Sequence, residues 1–134
     1  MAKAKQNLSL KDAIVEAIKQ KKGRDIVVID LTGNEQAIAD YYIICHGNST
    51  SQVDALADHI ERFARTETSE HPSHIEGQQN AQWVLMDYGD IVVHIFQEEI
   101  RHFYNIEDLW ADAPNKVYKE RKRTSANKTA VEAE

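Results

Sequence analysis

The residues with the most chemical potential lie between Gln97 and Pro114, QEEIRHFYNIEDLWADAP, where Glu98 and Glu99 precede Arg101, His102 and the aromatic pair Phe103 and Tyr104. Two carboxylates beside a cation and an imidazole could act as general acid and base. Neighbouring positions on a helix, however, point about 100° apart, so Glu98 and Glu99 cannot flank one scissile bond. Acidic residues that open a helix complement the positive end of its dipole, and the pair is read as structural.

A second candidate is Gly47-Asn48-Ser49, at a predicted strand-to-helix junction. Backbone N–H groups opening a helix can hold an anion, and nucleotidyltransferases join such a turn to a strand with paired carboxylates that carry magnesium. That second half is missing. Asp54 and Asp58 fall on the polar side of the following helix, and no acidic-hydrophobic-acidic strand appears. Ser49 is therefore read as a helix cap, with metal-assisted phosphoryl transfer kept as the rival. Cys45 and His46 are adjacent on a predicted strand, so their side chains leave opposite faces and make no nucleophile–base pair. Cys45 reads as a buried thiol. His71, His74 and Glu76 match no zinc spacing. No catalytic, metal or cofactor-binding residue is assigned, and no cofactor is expected.

The elements that must position these groups follow from periodicity. Ser9 and Asp12 open a helix whose apolar stripe is Leu10, Ala13, Ile14, Ala17 and Ile18; Lys19, Lys21 and Lys22 suit its negative end, and Gly23 stops it. Asp25–Leu31 and Tyr41–Gly47 are apolar runs without alternation, the pattern of strands buried on both faces. A second helix carries Val53, Leu56, Ala57, Ile60, Phe63 and Ala64 on one side, with Ser49 and Gln52 as a capping box. HIEG, 74–77, is a candidate edge strand. Gln82–Asp87 and Asp90–Phe96 form a hairpin around Tyr88-Gly89, with Ile91, Val93 and Ile95 on one face and Val92, His94 and Phe96 on the other. A short helix follows Phe96, and Pro114 is expected to end regular structure.

These elements predict an α/β fold: a mixed four- to five-stranded sheet, two main helices and a short C-terminal helix. Residues 1–8 form a flexible N-terminus, 9–114 the domain, and 115–134 a charged, disordered tail. Two helices cannot cover both faces of such a sheet, so the second face needs the C-terminal motif or a partner above it. Phe103 is expected in the core. Trp110, in a polar-flanked stretch, has the setting of an interface anchor.

Charge limits the partners. Residues 1–114 carry 10 Lys and Arg against 19 Asp and Glu, net −9, whereas residues 115–134 carry 6 against 3, net +3. A body this acidic is repelled by phosphate backbones and suits a basic protein rather than bare nucleic acid, and no direct sequence-specific nucleic-acid partner is expected. The basic run KVYKERKR is read as a solvated tail. The single cysteine excludes an internal disulfide, and neither a signal-like segment nor a membrane-length apolar run is present, so a cytoplasmic protein is expected.

ADYYIICHGNSTSQVDALADHI, 39–60, and EGQQNAQWVLMDYGDIVVHIFQEEIRHFYNIEDLW, 76–110, resemble the ribosomal silencing factor (Iojap) family over Ser9 to Pro114. The resemblance implies a nucleotidyltransferase-like fold without the enzyme's carboxylates and no enzymatic activity. It also implies binding to the large ribosomal subunit through its fourteenth protein, uL14, which blocks joining of the small subunit and represses translation under starvation. Self-association as a homodimer and a role in large-subunit assembly are further implications. Carried over from the signature, the residues expected to touch the ribosomal protein are Trp83, Asp87, His94, Phe96, Arg101, Tyr104, Leu109 and Trp110. Trp83 and Leu109 stand open between interface and core, and Arg101 between contact and an ion pair with Glu98 or a sheet carboxylate.

Overall fold

The computed structural model describes residues 8–118. Helix α1, Leu10–Gln20, starts where the Ser9 hydroxyl accepts from the Asp12 N–H at 3.1 Å, and it buries Ala13, Ile14, Val15, Ala17 and Ile18. Gly23 follows because a Cβ there would run into the Ile18 side chain. Helix α2, Thr50–Thr68, is capped by Ser49, whose hydroxyl accepts from Gln52 N at 3.1 Å. The expected reciprocal bond is displaced by one residue: the Gln52 side-chain oxygen accepts from Asn48 N at 2.8 Å. Its amide nitrogen donates to the Lys22 carbonyl at 3.2 Å, fastening the start of α2 to the end of α1.

Among the described residues the sheet has six strands in the order β3-β4-β5-β2-β1-β6. They are β1 Arg24–Asp30, β2 Tyr41–Gly47, β3 His74–Glu76, β4 Trp83–Asp87, β5 Ile91–Gln97 and β6 Asn115–Tyr118. Only β2 and β5 pair in parallel, from Tyr41 opposite Ile91 to Gly47 opposite Gln97, and α2, β3 and β4 supply the connection. Of the expected HIEG, His74–Glu76 form the edge strand β3.

The sixth strand corrects two expectations. The four- to five-stranded sheet and the tail beginning at Asn115 both fail because β6 pairs with β1, with Val27 opposite Val117 and Ile29 opposite Asn115. Pro114 does not end regular structure. It lacks an N–H, but its carbonyl accepts from Asp30 N at 2.8 Å and so opens the edge ladder. Leu8 is described; residues 1–7 and 119–134, on which the rest of the flexible-terminus and disordered-tail expectations falls, lie outside the described residues.

One face of the sheet, including Ile26, Val28, Ile43, Cys45, Val84, Val93 and Ile95, packs against α1 and α2. Ile29, Leu31, Ile44 and Phe96 are buried on the other face, where burial of each side chain is worth roughly 1.5–3 kcal/mol. Ile100, Ile106, Trp110 and Ala113 cover them, so the C-terminal motif supplies the missing layer.

Candidate functional site

That covering layer is a strap running from α3, Glu98–Tyr104, into a 3-10 turn, Ile106–Trp110. Asn105 joins them in the left-handed region at φ 45°, a conformation its short polar side chain tolerates. Glu98 and Glu99 occupy the first turn of α3, as their dipole reading requires.

Arg101 pins the strap from below. Its side chain is 6% exposed; Nε donates to the Glu107 carboxylate at 2.7 Å, and one terminal nitrogen donates to His46 Nδ1 at 2.9 Å and to the Arg24 carbonyl at 3.4 Å. One guanidinium thereby ties α3 to the 3-10 turn, β2 and β1. Since a guanidinium only donates, His46 is fixed with its proton on Nε2. Burial, then the Arg101 charge, pushes the His46 pKa below its ordinary value. Arg101 does form an ion pair, but its carboxylate is Glu107 of the 3-10 turn, not Glu98 or a sheet carboxylate as expected.

Beside this pin lies an aromatic array. Trp83 stacks on Phe96 at 4.9 Å between ring centres and approaches Tyr104 at 5.0 Å. Its indole N–H donates to His94 Nδ1 at 3.1 Å. Tyr42 covers His94 at 4.7 Å and meets the edge of Trp110 at 5.9 Å. Burial holds the His94 pKa down at about 4, so the ring is neutral.

The expected contact residues therefore separate by depth. Phe96, His94 and Arg101 are buried and hold the face from within. Trp83 and Trp110 are half-buried, each with one side in the array. Tyr104 and Leu109 are exposed. Asp87 stands apart at the far end of β4, where its carboxylate accepts from Gly89 N at 2.8 Å and shapes the β4–β5 turn. Phe103, expected in the core, is 78% exposed, and Leu109 is 76% exposed. A seven-residue helix is too short to show an apolar stripe, so nothing in the sequence distinguished Phe103 from Ile100. Tyr42 and His46 were not anticipated as part of the face. Leu109 and Trp110 also border a surface groove whose rim includes Asp30, Glu35 and Asp112, so the apolar groups are edged by negative charge.

No group of three or more His, Cys, Asp and Glu among the described residues is arranged to hold a metal ion. Cys45 is fully buried, and burial pushes its thiol up to about 12. At the Gly47–Ser49 junction the Gln52 side chain accepts the Asn48 N–H that an anion would use. No helix among the described residues is long and apolar enough to cross a membrane.

Fold and face together define a two-layered α/β domain whose second face is roofed by a short, pinned, aromatic strap. The family described as "Ribosomal silencing factor during starvation" matches residues 4–134, and the chain belongs to it. It is 42% identical over 108 residues to the ribosomal silencing factor of Halalkalibacterium halodurans, covering 81% of this chain and 91% of that one. Identity to the ribosomal silencing factor of Bacillus subtilis is 45% over 98 residues, 73% of this chain and 81% of that one. A solved Chromobacterium violaceum protein superposes with a TM-score of 0.71 at 30% identity, covering 90% of this chain and 92% of that one. A mouse protein named "Mitochondrial assembly of ribosomal large subunit protein 1" is 31% identical over 101 residues, 74% of this chain and 44% of its own length.

Proposed function

We propose that this protein is a non-enzymatic repressor of translation, acting in the cytoplasm by occupying the large ribosomal subunit at uL14 and sterically preventing the small subunit from joining. The observation that carries the reading is the outer side of the strap in a chain of this family: Phe103, Tyr104 and Leu109 stand exposed on a segment that Arg101 holds rigid. A preorganised apolar patch loses little entropy on docking. The acidic body speeds approach to a basic ribosomal protein, and the aromatic and aliphatic groups supply short-range affinity. Trp83, Tyr104, Leu109 and Trp110 make direct contact in this reading, with Phe96, His94 and Arg101 supporting them and Asp87 at the margin. We read the sheet as a nucleotidyltransferase-like frame whose turn at Gly47–Ser49 serves helix capping. The exposed groups of the strap are also those available for a homodimer of the free protein.

The test is sedimentation of purified protein with isolated large subunits, followed by addition of small subunits. Cosedimentation and fewer joined ribosomes are expected. Normal joining at saturating protein would refute the reading.

A second reading, favoured by the printed name of the mouse relative, is an assembly factor for the large subunit. Cells lacking the protein would then accumulate precursor particles rather than free mature subunits.

A further inference from the structure

A cluster of lysines lies at the sheet edge away from β3. Tyr118 ends β6, and its ring packs toward α1. Two ammonium groups lie over that ring: Lys19 of α1 at 5.1 Å from its centre and Lys116 of β6 at 4.8 Å. Lys21 and Lys22 follow at the end of α1, and both are exposed. The dipole of α1 accounts for a cation at Lys19, but not for one across the ring on a neighbouring strand.

The ring restricts both lysine side chains, so part of the entropy lost on gripping a ligand is already lost. Neither ammonium pairs with a carboxylate among the described residues. The antiparallel register sets Tyr118 opposite Ile26, near the Arg24 end of β1. The next residues in sequence are KERKR, 119–123. Lys19 and Lys116, with Lys21 and Lys22 nearby, thus place several cations on one edge of the fold. Lysine ammonium groups are point cations that pair with phosphates without reading sequence.

We propose that the corner formed by Lys19, Tyr118 and Lys116 is a sequence-independent contact for the phosphate backbone of RNA, separate from the strap and on the α1 side of the sheet. The choice of RNA over an acidic protein rests on the ribosome-binding reading. The geometry of the corner does not.

The test is fluorescence anisotropy of a labelled RNA hairpin, free of ribosomal protein, titrated with the full chain across a range of salt concentrations. Binding should weaken linearly in log–log form as salt rises, and Lys19→Gln/Lys116→Gln should make the slope shallower by about one per lysine removed. Affinity of that variant at low salt should fall roughly tenfold or more. Lys19→Glu/Lys116→Glu, checked for an unchanged circular dichroism spectrum, should lose more. Absence of RNA binding by the unaltered chain, or an unchanged slope in the glutamine variant, would overturn the proposal. Equal affinity for polyglutamate would overturn RNA in favour of an acidic protein. The subunit-joining assay tests the strap separately, so either idea can fail alone.

Discussion

The indole N–H of Trp83 donates to Nδ1 of His94 at 3.1 Å, so the imidazole carries its proton on Nε2. That Nε2 is buried and has no hydrogen-bond partner among the described residues. An array packed between Tyr42 and Phe96 thus contains one unmet donor, and a second proton on the ring would also remove the acceptor that Trp83 uses.

Acid should therefore destabilise the protein. Unfolded His94 takes up a proton near its ordinary value of 6.5, whereas the folded ring resists until about 4. The stability it contributes is complete above pH 6.5 and is lost as pH falls toward 4, up to about 3 kcal/mol. His46, whose pKa is also lowered, acts in the same sense. Urea unfolding from pH 7.5 to 4 should show this decline, and His94→Phe should flatten part of it.

The Arg101–Glu107 pair should stabilise the strap. Arg101→Met leaves His46 Nδ1 and the Glu107 carboxylate without their donor, at a cost of roughly 2–4 kcal/mol. Glu107→Gln, which keeps a hydrogen-bond acceptor, should cost about 1 kcal/mol. Limited proteolysis should cut Arg101→Met first within 98–113. Cleavage at native rates would show that the pin is dispensable.

The outer and inner residues of the strap should behave differently. Phe103→Ala and Leu109→Ala, at exposed positions, should change stability by no more than about 0.5 kcal/mol. In a pull-down with isolated uL14, Leu109→Ala should weaken binding by more than about 1 kcal/mol if the strap is the contact. Trp110→Ala should lower both binding and stability, because Trp110 packs on Tyr42 and the buried cluster.

Ser49 should act as a cap and not as an anion ligand. Ser49→Ala should lower stability by about 1 kcal/mol, read from the urea midpoint. Calorimetry with a nucleoside triphosphate and magnesium should give no binding heat. Heat that vanishes in Ser49→Ala would revive the nucleotidyltransferase reading.

Most of the frame was legible because it rests on local periodicity. The alternation of Ile91, Val93 and Ile95 with Val92, His94 and Phe96 fixes both faces of β5. The unbroken apolar run in β2 required a second covering layer, which the strap supplies. β6 was not legible: Asn115-Lys116-Val117-Tyr118 has one aliphatic residue, and backbone pairing to β1 holds it in place. The site was legible only as a neighbourhood. The bond between Arg101 and His46 joins residues far apart in the chain, which no spacing rule reaches, so Arg101 could not be assigned to pin or contact. Phe103 was misplaced because α3 makes fewer than two full turns, too few for periodicity to choose a side.

Arg101 and Ile100 face the sheet while Phe103 and Leu109 face outward, so one short segment answers to two independent demands. Mutational drift on its outer side can retune what the protein grips without loosening the sheet beneath. A chain built this way can follow a changing binding partner by surface substitution alone.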